Sequence, residues 1–125
     1  IWNAKSTIPN TYSTTTKIRV TLDDHESAHN TTSSISAVFT LDTKNPTLGS
    51  PPIWVDATQD PVLIHLSASD DSSLQMKVGL QSDLSDAVWQ NYNSTTTLSS
   101  LTPGSIIYTQ FRDSFNNTST IQSAH

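Results

Sequence analysis

Apolar and polar residues alternate in short runs along most of the chain. In 18–22, Ile18, Val20 and Leu22 would share one face of an extended segment, and 74–80 alternates in the same way. This period of two, in runs bounded by Ser, Asn, Asp or Pro, predicts strands buried on one face. No segment keeps helical spacing over about 10 residues, so helix is expected at most as one turn near 84–88. After Pro46 the predicted strands are 53–58, 62–69, 74–81, 88–92, 95–101, 105–112 and 118–122.

Seven short strands separated by turn residues indicate an all-β fold. Their length and spacing predict an antiparallel β-sandwich of the immunoglobulin or fibronectin type III kind over residues 46–125. The paired cysteines of antibody domains are missing, because the chain contains no Cys. The prediction therefore concerns the Ig-like architecture rather than an antibody-like domain.

A long-range repeat suggests what precedes the sandwich. Three residues recur at one offset of 89 positions: Ile18 with Ile107, Leu22 with Phe111 and Asp24 with Asp113. An offset of about 90 residues is the size of one sandwich repeat. We therefore interpret 17–24 and 36–42 as an F–G type hairpin that ends a preceding repeat, with 1–45 as extension and hairpin. The alternative is chance similarity among short alternating strands.

Three segments resemble the Ig-like and fibronectin-III-like repeats of large prokaryotic cell-surface proteins. FTLDTKNP at 39–46 resembles their F-x-V-D-T-x-x-P junction, YTQFRDSFNN at 108–117 is similar to their Q-F-R-D strand end, and WQNY at 89–92 resembles their W-x-x-Y segment. The usual Gly of the following turn is replaced by Phe115-Asn116. The resemblance implies an extracellular or cell-surface location and a structural role.

Composition narrows the function classes. The six Lys and Arg residues are scattered and the net charge is −5, so no basic stripe is available for nucleic acid. No apolar run approaches the roughly 18 residues of a membrane span. Without Cys there is no disulfide framework, thiol catalysis or cysteine-zinc site. The 20 Ser and 19 Thr are interpreted as strand exteriors and loops, with disorder expected only in the first 16 residues.

One segment matches a catalytic metal motif. His25-Glu26-Ser27-Ala28-His29 has the H-E-x-x-H form, which binds zinc when a helix places both imidazoles on one face. Here it lies between predicted strands, so we interpret it as a solvated loop, with adventitious metal binding as the alternative. No catalytic residues are expected, and the protein is predicted not to be an enzyme.

Acidic residues follow several predicted strands. In a seven-stranded sandwich the loops after the second and sixth strands lie at one end, so carboxylates there should meet the interdomain linker. Ca²⁺ takes six to eight oxygen ligands of this kind, which predicts calcium at the repeat junction. The alternative is that Asp caps β-turns. The predicted ligands are Asp42, Asp70, Asp71, Asp113 and Asn116.

The sequence suggests two separate relations to glycans, namely N-glycosylation and carbohydrate binding. Sequons predict N-glycosylation at Asn30, Asn93, Asn116 and Asn117. Exposed aromatic rings could also stack on sugars, which makes a carbohydrate-binding or adhesive module the alternative function. Trp89 and Tyr92 are expected in the core and Trp54 on a half-buried strand, which leaves Trp2 and Tyr12 without an assigned structural position.

The main hypothesis is a structural, non-catalytic module of a surface protein or filament: a stalk, surface layer or fibre subunit. A lone hairpin is marginal in water, so 17–42 is expected to pack on a neighbouring Ig-like repeat or on a copy of the chain by strand addition. The predicted assembly residues are Ile18, Val20, Leu22, Val38 and Leu41. A chain that starts at Ile1 rather than Met indicates a processed or partial polypeptide.

Overall fold

The computed structural model describes residues 1–28, 31–99 and 101–125 and is nearly all β. The chain forms two compact units, residues 1–43 and 44–125. The sequence placed the boundary between residues 45 and 46, close to this division. The predicted all-β class with several antiparallel sheets is confirmed.

In its described residues the first unit contains one short helix and four strands. The helix α1 is Ala4–Thr7, capped by Asn3, whose side chain accepts the Ser6 N–H. The strands are β1 (Tyr12–Thr16), β2 (Arg19–Asp23), β3 (Thr31–Ile35) and β4 (Phe39–Asp42). β1 pairs with β4 and β2 with β3, both antiparallel. We call residues 12–23 and 31–42 the N-terminal ribbon, because together they form the two arms of one long hairpin.

The hairpin is present, but its strand partners differ from the prediction. Segment 17–24 was expected to pair with 36–42. Instead β2 pairs with β3, and β4 pairs with β1 in a segment expected to be disordered. The two strands that the sequence did not predict, β1 and β3, are rich in Ser and Thr and lack apolar alternation. The hydrophobic pattern therefore did not indicate them. Their β-branched Thr residues nevertheless favour extended backbone.

The second unit consists of two antiparallel sheets. Its strands are β5 (Thr47–Asp56), β6 (Leu63–Ser69), β7 (Leu74–Gly79), β8 (Gln90–Asn91), β9 (Thr95–Thr96), β10 (Ile107–Asp113) and β11 (Gln122–Ala124). One sheet has the order β5-β6-β9 and the other β11-β10-β7-β8.

The core of this unit receives side chains from both sheets. The buried apolar residues are Ile53, Ile64 and Leu66 from the first sheet and Met76, Val78, Ile107 and Phe111 from the second. In β10 every second residue from Ile107 to Asp113 is buried, as the period of a strand requires. The sheets therefore pack face to face as a β-sandwich, with Phe111 fully buried between them.

The strand boundaries differ most where proline or turns intervene. β5 begins six residues earlier than predicted and runs through Pro51 and Pro52. Proline lacks an N–H donor, and it is tolerated here because β5 lies at the edge of its sheet. The expected helical turn near 84–88 is a series of turns without helix. The predicted strand 95–101 forms only at 95–96, and its position 100 lies outside the described residues.

Truncation of Phe111 tests the core. We expect Phe111→Ala to lower the free energy of unfolding by about 3–5 kcal/mol, because the change leaves a cavity between the sheets. Phe115→Ala is the matched control, since Phe115 is exposed and its loss should cost less than about 1 kcal/mol. Urea denaturation followed by circular dichroism measures both; equal losses would contradict the assigned core.

Candidate functional site

The loops after β6 and β10 bring two of the predicted metal ligands together. A carboxylate oxygen of Asp70 lies within 4.8 Å of one from Asp113. Asp70 directly follows β6, and Asp113 is the last residue of β10. The two loops therefore meet at one end of the sandwich.

Asp113 organises the turn that follows it. Its side chain is 1% exposed. Oδ1 accepts the backbone N–H groups of Phe115 and Asn117, each at 2.8 Å, and Oδ2 accepts the Asn117 side-chain amide at 2.6 Å. Asn116 has a φ of 66°, a left-handed conformation that Asn tolerates better than most residues.

The Asp70 carboxylate has one oxygen engaged and one without a hydrogen bond. Oδ1 accepts the backbone N–H and the hydroxyl of Ser72, at 2.9 and 3.0 Å. Oδ2 is buried and has no hydrogen-bond partner. A buried carboxylate oxygen is unfavourable unless a donor or a cation compensates it. Together with the nearby Asp113, Asp70 provides oxygen ligands that suit a hard divalent cation.

The other three predicted ligands lie in different surroundings. Asp71 forms an ion pair with Lys44, with 2.7 Å between Oδ2 and Nζ. Asn116 is exposed at the turn. Asp42 is the last residue of β4, in the first unit, and is buried. Within the sandwich, the structure thus brings together Asp70 and Asp113.

The H-E-x-x-H segment does not form a helix in the described residues. His25 has a φ of 61°, and its backbone N–H donates to Asp23 Oδ1 at 2.8 Å. Residues 24–28 contain no helix, and His29 lies outside the described residues. The helical geometry that places the imidazole of His25 and the Glu26 carboxylate beside a zinc ion is therefore absent from 24–28.

Two carboxyl groups outside the core have a pKa below the ordinary range of aspartate. The pKa of Asp56 is lowered mainly by hydrogen bonds from the hydroxyl and then the backbone N–H of Thr58. The pKa of Asp83 is lowered in the same way by Ser85. In both cases the donors lie two residues further along, so these carboxylates stabilise turns.

Trp54 and His65 form a flat stacked pair on neighbouring strands. Their ring centroids are 3.7 Å apart and their planes differ by 1°. Trp54 is 43% exposed, as part of β5. Trp2 and Tyr12, which the sequence left without an assigned position, are also exposed. The stacked pair of Trp54 and His65 presents a flat aromatic surface on which Trp54 is partly exposed.

Trp89 and Tyr92 differ in position. Tyr92 packs against the core, with its ring edge-on to Phe111 and its hydroxyl donating to the Leu66 carbonyl. The centroid of the Trp89 ring lies 4.4 Å from Arg112 Cζ and 5.4 Å from Lys77 Nζ. These cations alternate with the buried residues of β10 and β7, so Trp89 lies on the outer face of the sheet instead of in the core.

A cavity of about 320 Å³ opens in the second unit. Its walls are mainly apolar and include His125. The hydroxyls of Thr102 and Ser105 lie 3.0 Å apart and form a hydrogen bond with each other. The lining residues are Val55, Ala57, Val62, Leu101, Thr102, Pro103, Gly104, Ser105, Ile107 and His125.

The predicted glycosylation sites divide by exposure. Asn93 and Asn116 are exposed. Asn117 is 4% exposed, and its side-chain amide donates to Asp113, so the folded protein shields this position. Asn30 lies outside the described residues.

Most of the predicted assembly residues are exposed. Ile18, Val20, Leu22 and Val38 all have accessible side chains. Leu41 is buried instead, so it is unavailable to a partner. Ile35 is a further exposed apolar residue that was not among the predicted assembly residues. Only its position as a single apolar residue after a run of Thr and Ser could have indicated it.

Comparison of the chain with protein-family models, curated proteins and solved structures found no significant match. Within the described residues, no helix has the length and apolar character needed to cross a bilayer.

Substitution of Asp113 tests its role in the turn. Asp113→Asn replaces one acceptor oxygen with a donor and should lower the free energy of unfolding by about 1–3 kcal/mol. Asp71→Asn is the control: it removes an exposed ion pair and should cost less than about 1 kcal/mol. Urea denaturation compares the two, and a larger loss for Asp71→Asn would refute the assignment.

Proposed function

We propose that this protein is a structural, non-catalytic module of an extracellular or cell-surface protein: a stalk, a surface layer or a filament subunit. In this proposal residues 44–125 are an Ig-like sandwich. With the strands lettered in chain order, its sheets are A-B-E and G-F-C-C′. This division of strands supports the Ig-like assignment. The partners are neighbouring repeats or copies of the chain rather than nucleic acid.

The observation that carries the proposal is the exposed apolar stripe on the N-terminal ribbon. Val20 and Leu22 in β2 are 54% and 65% exposed, and Ile18, which precedes the strand with the same spacing of two, is also exposed. A two-stranded hairpin is marginal in water without a third strand or a covering layer. Clustered exposed apolar residues mark interaction surfaces. The ribbon is therefore suited to strand addition onto a neighbour.

The edges of the sandwich favour the same conclusion. β8 and β9 have two residues each and β11 has three. The remaining edge strand, β5, contains Pro51 and Pro52. Short and proline-containing edges resist pairing with other chains. The longer uninterrupted edges available for assembly belong to the ribbon.

A bound calcium ion is a further part of the proposal. Asp70 and Asp113 would supply oxygen ligands, and the ion would compensate the buried Asp70 Oδ2. Its role would be mechanical, because ion binding would stiffen the loops at one end of the sandwich.

A carbohydrate-binding or adhesive module is the second candidate function. The flat, partly exposed pair of Trp54 and His65 favours it, since an aromatic face can stack on a sugar ring. Saturable binding of a soluble glycan, lost in Trp54→Ala and without a change in oligomeric state, would support this alternative.

Polar replacement of the stripe tests the assembly role. We expect Val20→Ser with Leu22→Ser to abolish self-association of the full chain, because the apolar contact is lost. Val88→Ser is the matched control: Val88 is 80% exposed in the second unit, and its loss should leave association unchanged. Sedimentation velocity over a concentration series measures the effect. Unchanged association in the double variant would refute the proposed interface.

Thermal melting with calcium or a chelator tests the ion. We expect Ca²⁺ to raise the Tm, by mass action on the folded state, and Asp70→Asn to reduce that shift. Asp60→Asn serves as the control, because Asp60 is an exposed carboxylate elsewhere in the second unit. An identical Tm with Ca²⁺ and with EDTA would exclude the calcium site.

A further inference from the structure

One edge of β2 is open, and the hydrogen-bond pattern shows which backbone groups it presents. β2 pairs with β3 on one side, and no strand lies on its other side in the described part of the chain. The Ile18 carbonyl accepts the Ser36 N–H at 2.8 Å. In an antiparallel pair, residues bonded to the partner alternate with residues whose N–H and C=O face away. Val20 and Leu22 therefore bond to β3.

The free edge consequently carries the N–H and C=O groups of Arg19, Thr21 and Asp23. All five residues of β2 are exposed, so this edge is open to solvent. We call these three residues outward-bonding, because their backbone groups face away from β3. Their side chains place a cation at one end of the edge, a hydroxyl in the middle and an anion at the other end.

This pattern is complementary to itself in the antiparallel direction. If a second β2 lies antiparallel with Thr21 opposite Thr21, Arg19 of each copy faces Asp23 of the other. On the opposite face, Val20 lies beside Leu22 twice. Opposite charges and apolar pairs directly across strands are stabilising, whereas a parallel arrangement would set Arg19 beside Arg19.

We propose that β2 pairs with β2 of a second copy in an antiparallel, twofold ladder centred on Thr21. A shift of one residue is excluded, because it would set outward-bonding residues opposite inward-bonding ones. A shift of two residues keeps the hydrogen bonds but separates Arg19 from Asp23. Backbone and charge thus select the same register.

The two ribbons become one four-stranded sheet in the order β3-β2-β2-β3. Ile18, Val20 and Leu22 of both copies then form one apolar strip at its centre. The edge of β3 is less suited, since Thr31–Ile35 carries no charge to set a register. An isologous contact of this kind closes at two copies. The inference rests on the proposed assembly role of the ribbon and names its partner and geometry.

Two proline substitutions test which edge is used. Thr21→Pro removes an outward N–H from β2 and leaves the bonds to β3 intact, so the full chain should become monomeric. Ser33→Pro is the matched control: Ser33 lies opposite Thr21, and its replacement removes the equivalent outward N–H from β3. This variant should remain a dimer. Sedimentation velocity gives the oligomeric state, and circular dichroism verifies that both variants fold.

Charge exchange tests the register. Arg19→Glu and Asp23→Arg should each raise the Kd of self-association by about tenfold or more, because two attractive pairs become repulsive. Mixed in equal amounts, the two variants should form a heterodimer, because both cross-strand pairs then join one carboxylate to one guanidinium. At a protein concentration between the Kd of the wild-type chain and the higher Kd of the variants, neither variant alone should dimerise.

The failures are distinguishable. A dimer that survives Thr21→Pro but not Ser33→Pro would overturn this inference and leave the proposed assembly role standing. Loss of association only in Val20→Ser with Leu22→Ser, without an effect of charge exchange, would overturn the register. A wild-type chain that stays monomeric at all concentrations would overturn the twofold pairing and would leave neighbouring repeats as the partners in the proposed structural role.

Discussion

Phe111 lies fully buried between the two sheets of residues 44–125, and much of the local structure follows from its packing. Because side chains alternate along a strand, burial of Phe111 also directs Thr109 and Asp113 inward. Each polar group then requires a partner. The Thr109 hydroxyl donates to the Lys77 carbonyl at 2.9 Å, and the Asp113 carboxylate accepts the amides of the next turn. The core contact thus determines a loop as well as a sheet.

The N-terminal ribbon lacks such a contact. Its strand β2 alternates apolar and polar residues like the strands of the sandwich, but Val20 and Leu22 remain exposed. Two strands have no opposing layer of their own, so hydrogen bonds within the ribbon fix its register without burying its apolar face. The proposed dimer extends the same ladder by two strands, at the edge where charge and backbone pattern agree.

The two proposed sites have different physical bases. The carboxylate of Asp113 and the Oδ2 atom of Asp70 are buried, so a cation there would act through local electrostatics and stiffen one end of the sandwich. The β2 edge offers solvent-exposed backbone groups that no strand among the described residues pairs with, over a short length. One site would govern rigidity within a module and the other connection between modules, and both are consistent with a structural role.

The sequence by itself located the longer strands of the sandwich and predicted the buried face of 74–80, because alternation of apolar residues is a local signal. It also predicted that the loops of Asp70 and Asp113 would meet. It misplaced the last strand, which was predicted at 118–122 and is Gln122–Ala124. The tertiary structure alone decided the strand partners. β1 and β3 carry hydroxyl residues at most positions, and pairing depends on backbone hydrogen bonds that no side-chain pattern records. The burial of Leu41 and Asn117 and the outward position of Trp89 were likewise unpredictable, because they depend on residues distant along the chain. A periodic pattern specifies which side of a strand turns inward, whereas only the folded chain specifies what lies there.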